Sequence, residues 1–136
     1  MKPISTRVHG VLDLVTAGAL LTVPRSLGWS KPVRDLLATA GAGALAYSLL
    51  TRYEFGLVKL LPMKAHLALD AISGISLCAA PLALPDEDDE VKAALVAIGL
   101  FEIAASLLTQ AEPAPHPSWS TRYKAGIARL EQAAGR

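Results

Sequence analysis

Four apolar stretches, at about 8–24, 34–51, 65–84 and 92–110, alternate along the chain with short segments of charge and helix breakers. Each stretch is roughly the 17–20 residues a helix needs to cross a bilayer. Leu36 to Leu50 contains no charge. Neither 36–50 nor 93–108 shows the polar face every 3.6 residues that a soluble four-helix bundle requires. Helices apolar all round are membrane spans or deeply buried. The pattern predicts an all-α integral membrane four-helix bundle over residues 1–110.

The intervening segments set the boundaries. The first, Pro24 to Pro32, holds Arg25, Gly28, Ser30 and Lys31. The second, Arg52 to Lys64, holds Tyr53, Glu54, Gly56, Lys59 and Pro62. The third is the acidic run Pro85 to Glu90, whose charge favours the N-terminus of the fourth helix.

The pattern also repeats. His9-Gly-Val-Leu12-Asp13-Leu-Val-Thr16 is echoed 57 residues on by His66-Leu-Ala-Leu69-Asp70-Ala-Ile-Ser73, and Pro24 is matched by Pro81. The second and fourth stretches match as well: Val33, Leu37, Gly41, Ser48 and Thr51 align with Val91, Leu95, Gly99, Ser106 and Thr109. The chain reads as two tandem helix-hairpin repeats, about 7–61 and 64–110. A two-span unit returns to its starting side, so the copies share one orientation, unlike the inverted repeats of many transporters.

Nine of the 13 Lys and Arg residues lie in the N-terminus, the middle linker and the tail, and four flank the other two linkers. The positive-inside rule therefore puts both termini in the cytoplasm, in a multi-pass protein of the cytoplasmic membrane. Lys2 and Arg7 ahead of the first stretch fit a signal peptide. The internal recurrence of its motif points instead to a permanent helix. From about Ala111 the character changes. Residues 111–118 form a Pro-rich linker. Residues 119–136 place Trp119, Tyr123, Ile127 and Leu130 at helical spacing among Arg122, Lys124 and Arg129. That fits an amphipathic tail on anionic lipid, and equally an ordinary surface helix.

Composition adds limits. The chain is 52% hydrophobic with only 18% charged residues, which supports the bilayer as its partner. A net charge of +1 gives no field for nucleic acid. The single cysteine, Cys78, rules out an internal disulfide or a cysteine metal cage and reads as an inert buried thiol.

Two tandem two-span units, each opening with His-x-x-Leu-Asp and reaching a proline at the end of its first span, resemble the SPW-repeat membrane proteins of bacteria and archaea. The Ser-Pro-Trp signature is here Val23-Pro24-Arg25 and Ala80-Pro81-Leu82. The resemblance covers about residues 7–110 and implies architecture and location but no reaction.

Candidate chemistry follows from the repeated polar positions. Residues i and i+4 share a helix face, so His9, Asp13 and Thr16 form one polar stripe and His66, Asp70 and Ser73 another. Charge in an apolar helix is costly unless paired, hydrated or metal-bound. The stripes are expected to face each other across the bundle, with Gly10, Gly18 and Gly74 easing helix approach. Three readings stand: hydrogen bonds that fix helix register, ion or proton handling by Asp13 and Asp70, and a divalent metal held by His9, Asp13, His66 and Asp70. The local pattern is similar to the metal ligands of cation diffusion facilitators. Hydrogen bonding rather than metal is the expectation.

Glu102 is an isolated acid in apolar surroundings, with Ala44 at its repeat position. It faces the site and breaks its symmetry, or is protonated and shielded from lipid, or pairs across a homo-oligomer, and burial should raise its pKa. Arg52 is a candidate partner for Asp13 or Asp70 and otherwise an interfacial charge. Tyr53 and Trp29 read as interface anchors. No Walker, Rossmann or nucleophile-elbow motif is present, and Ser48 and Ser106 lack a neighbouring base. A non-enzymatic binding or ion-linked component is expected, with a membrane scaffold built on the Gly-Ala face of the second helix and the tail as the alternative.

Overall fold

A computed structural model describes residues 2–112, 127–129, 131–133 and 135. The described chain is all-helical, with four long helices: α1 (Thr6–Ser26), α2 (Lys31–Leu50), α3 (Met63–Ala83) and α4 (Asp89–Leu108). Residues 127–129 and 131–133 are helical. Residues 113–118 of the expected linker and the rest of the expected amphipathic tail lie outside the described residues.

Local chemistry explains the boundaries. Ser5 caps α1 by accepting from Val8 N at 3.2 Å, and Ser30 caps α2 by accepting from Val33 N at 3.4 Å. Asp89 and Glu90 sit in the first turn of α4, where acid complements the helix dipole. Helix α1 continues two residues past Pro24. It closes on Gly28, whose φ of 69° is the left-handed conformation that glycine tolerates after a helix. Thr51 and Thr109 end α2 and α4 in extended conformations.

Helix α1 packs along α2 and α3 along α4. The close approaches are at repeat-equivalent places. A Cβ on Gly41 would lie 3.0 Å from Ala17 O. Gly74 and Gly99 abut backbone to backbone, and a Cβ on Gly99 would also meet Cys78 Sγ at 2.7 Å. The sequence reading of the other glycines is corrected. Gly18 and Gly43 face open space, and Gly10 makes room for Tyr53 and Phe55 rather than for a helix.

The two hairpins share a core of six buried residues: Leu20, Val33 and Leu37 from the first, Leu77, Val91 and Leu95 from the second. These are three matched pairs, one member from each copy. Trp29 packs half-buried against this cluster. At the opposite end the copies interlock through backbone. Arg52 N donates to Leu61 O at 2.8 Å and Leu61 N to Leu50 O at 2.8 Å. Ile4 N donates to Leu108 O at 3.1 Å and Gln110 N to Ile4 O at 2.9 Å. The segment before α1 thus docks on the end of α4 as the segment before α3 docks on the end of α2. One junction is covalently continuous and the other joins residues about 100 positions apart, yet the two are built alike. This closes the bundle with pseudo-twofold symmetry and brings the starts of α1 and α3 to its centre.

Helices α3 and α4 are long and apolar enough to cross a membrane. Helices α1 and α2, expected to do the same, fall short of that composition.

Candidate metal centre

His9 and His66 each lie in the first turn of their helices and are 1% and 0% exposed. Each carries its aspartate one turn on, so each helix delivers one imidazole and one carboxylate to the same point. His9 Nε2 lies 3.3 Å from His66 Nε2, 2.9 Å from Asp70 Oδ2 and 3.3 Å from Asp13 Oδ1. His66 Nε2 lies 3.2 Å from Asp13 Oδ2 and 3.3 Å from Asp70 Oδ2. The rings meet edge to face, at a 71° interplanar angle. The two stripes do face each other, and all four groups converge.

The outer sides of the rings define what the inner sides present. His9 Nδ1 lies 2.9 Å from Thr109 Oγ1, and His66 Nδ1 lies 2.8 Å from Thr51 Oγ1. Each threonine hydroxyl is also 2.6 Å from the carbonyl one turn back, Ala105 O for Thr109 and Tyr47 O for Thr51. A carbonyl can only accept, and a hydroxyl has one hydrogen. The threonines therefore donate to the carbonyls and accept from the imidazoles, so the network assigns the hydrogen to Nδ1 in both rings. A neutral imidazole so held turns the Nε2 lone pair inward. Two Nε2 lone pairs and two carboxylates then face one another, a set with acceptors only. Such a set is stable around a cation: protons on Nε2, or one metal ion.

The spacing suits a metal. A tetrahedral ion with bonds of about 2.0–2.1 Å spaces its ligand atoms about 3.3–3.4 Å apart. The imidazole nitrogens lie 2.9–3.3 Å from each other and from the nearest carboxylate oxygens, and one donor atom from each of the four residues falls within 4.8 Å of the others, so a small inward shift would bring them round one ion. A dication would also balance the two carboxylates. A histidine that ligates through Nε2 while donating Nδ1–H to an oxygen is the usual orienting arrangement at metal sites.

The carboxylates are held from outside as well. Asp70 Oδ1 accepts from Tyr47 Oη at 2.6 Å. Asp13 Oδ2 accepts from Ser48 Oγ at 3.0 Å and Tyr53 Oη at 3.3 Å. Here the pseudo-symmetry breaks: Ala105 stands at the repeat position of Tyr47, and Ser106 donates to Ile103 O. Tyr53 is not an interface anchor. It is 2% exposed, packs with Met63, Leu67 and Phe55 under the site, and lies against His66 with ring centroids 5.7 Å apart. Burial, with Asp13 adjacent, pushes its phenol up to about 12.

The other expected site residues divide. Glu102 and Thr16 line a small cavity with His9, Asp13, Asp70 and Tyr47, and Ser73 is the polar group beside Glu102. Arg52 does not reach either aspartate. It is exposed, and its Nε donates to Lys59 O at 2.9 Å, which fits the interfacial alternative. Sequence reasoning passed over Thr51, Thr109, Tyr47 and Ser48 as parts of the site. The signal for the threonines was their matched position at the ends of two apolar helices. Tyr47 has no repeat counterpart and gave none.

No protein-family model, curated protein or solved structure matches this chain.

Proposed function

We propose that this chain is a four-span protein of the cytoplasmic membrane that binds one divalent transition-metal ion, of the Zn²⁺ class, between its two repeats. The observation that carries the proposal is the convergence of His9, Asp13, His66 and Asp70, whose donor atoms lie within 4.8 Å of one another, with Thr51 and Thr109 on the outer ring nitrogens. Two imidazoles and two carboxylates suit Zn²⁺, and with added water Mn²⁺ or Fe²⁺. The reading assigns binding and handling of an ion, without covalent catalysis.

The membrane part of the proposal rests on the helix exteriors. The helices are 20 or 21 residues long, about 30 Å at 1.5 Å per residue, the thickness of a bilayer core. Large apolar side chains point outward from all four, among them Val15, Leu49, Ile75 and Leu107. Twenty large apolar residues are exposed among the described residues, which suits a surface covered by lipid. In this orientation both termini are cytoplasmic and the metal centre sits near the cytoplasmic face. The basic tail adds anionic lipid as a partner. Kinship with the SPW-repeat proteins, carried by the two His-x-x-Leu-Asp motifs and Pro24 and Pro81, belongs to the same proposal.

The test is metal analysis of the full chain purified in mild detergent. About one tightly held ion per chain is expected after loading with Zn²⁺ or Co²⁺, with the absorption of tetrahedral Co²⁺. The Asp13→Ala/Asp70→Ala variant should hold none. Equal and negligible metal in both proteins overturns the metal reading and leaves proton-filled hydrogen bonds that fix helix register. Extraction of the chain into the soluble fraction without detergent overturns the membrane reading.

A further inference from the structure

The centre is covered on one side and adjoins a cavity on another. Toward the helix ends it is covered by Thr51 and Thr109, each 0% exposed, and by Tyr53, Met63 and Leu67. The paired backbone of Ile4 with 108–110 and of Leu61 with 50–52 encloses the same end. On the other side a cavity of about 20 Å³, lined by residues of all four helices, adjoins the site. That is room for one water molecule. His9, Asp13 and Asp70 line its near wall, and Thr16, Phe101 and Glu102 are among the residues of the rest.

Glu102 is out of balance in this cavity. Its Oε2 is buried without a hydrogen-bond partner among the described residues, and no Lys or Arg lines the cavity. A buried carboxyl oxygen without a protein partner is met by a proton, a water or a cation. The structure therefore holds a third carboxyl group, one oxygen of which has no partner among the described residues, in the cavity that adjoins the centre. It is asymmetric, since its repeat position is Ala44, which lines the same cavity. A site meant only to keep an ion would need no such group: four ligands already complete a tetrahedron.

We infer that Glu102 is the transfer ligand of this centre. It takes the metal ion in the cavity, passes it to His9, Asp13, His66 and Asp70, and receives it again on release, so it sets the rate of exchange without being a resting ligand. The inference rests on the metal-binding reading above. It makes the bound ion exchangeable cargo rather than a fixed structural cofactor.

The experiment measures both directions of exchange on the full chain in detergent. Co²⁺ loading is followed by its absorption and removal is followed after adding excess chelator, for the wild type, Glu102→Gln and Glu102→Asp. Gln keeps the shape of Glu and removes the charged ligand; Asp keeps a carboxylate. In Glu102→Gln, loading and removal should both slow by about tenfold or more, the scale of effect for groups around a metal site. Stoichiometry and the Co²⁺ spectrum should be unchanged, and Glu102→Asp should recover most of the rate. Rates within twofold of wild type overturn the inference. So does slower loading with faster removal, which is the mark of a purely electrostatic role. A changed spectrum overturns it too, because Glu102 would then be a resting ligand. A wild type that takes up no Co²⁺ overturns the metal reading itself, and this inference with it.

Discussion

Replacing Thr109 with valine removes one oxygen and almost no volume. The oxygen is the acceptor for His9 Nδ1–H at 2.9 Å, and its own hydrogen is engaged by Ala105 O at 2.6 Å. In the variant His9 either keeps its place with a buried, unpaired N–H or turns and withdraws Nε2 from the centre. The first outcome costs about 1–3 kcal/mol. At 1.4 kcal/mol per tenfold that weakens the metal complex by about 5- to 140-fold, overlapping the usual 10–100-fold for losing an orienting partner. Competition between the protein and a chromophoric chelator for Zn²⁺ reads the affinity directly. Thr109→Ser keeps the hydroxyl and should stay within about threefold of wild type, well inside the effect of losing the partner. Thr51→Val should match Thr109→Val, because it strips the same support from His66 at 2.8 Å. Combining the two should give less than the sum of the single losses, since both ligands serve one ion. A folded Thr109→Val chain with wild-type affinity would falsify the assignment of the hydrogen to Nδ1, and with it the inward lone pairs.

Other expectations bear on packing and on the residues that cover the centre, of which Tyr53 is one. Gly99→Ala would press a methyl on Gly74 O and Cys78, forcing α3 and α4 apart, so thermal unfolding should show a loss of about 1–3 kcal/mol; Gly43→Ala, which faces open space, should be neutral or mildly stabilising. At Gly56 a Cβ would run into the Thr51 carbonyl, so Gly56→Ala should shift Thr51, loosen His66 and weaken metal binding about as Thr51→Val does, about 10-fold, read by the same chelator competition. Tyr53→Phe removes a donor to Asp13 Oδ2 at 3.3 Å while keeping the ring under His66; a modest loss of about 0.5–1.5 kcal/mol in stability is expected, and a loss of fold altogether would show that this cover depends on more than packing.

Much of the architecture follows from local pattern. Four apolar runs of helical length predict four helices, and the acidic run before the fourth marks its start. The repeat gives the matched core pairs Leu20 with Leu77, Val33 with Val91 and Leu37 with Leu95. The polar stripes are legible for the same reason: His9 and Asp13, or His66 and Asp70, share a helix face by the geometry of one turn. What the tertiary structure alone decided is which groups turn outward from that face to meet others. His9 finds its acceptor 100 residues away, and that depends on how the segment before α1 docks on α4. Tyr47 reaches Asp70 and Tyr53 slides beneath His66 only because the hairpins close as they do. Arg52, near the site in sequence, is turned away by a backbone carbonyl at Lys59. Helix periodicity is a property of neighbours along the chain. The tautomer of a buried histidine, the partner of a carboxylate and the lining of a cavity are properties of contacts between distant segments. No spacing along the chain encodes those contacts.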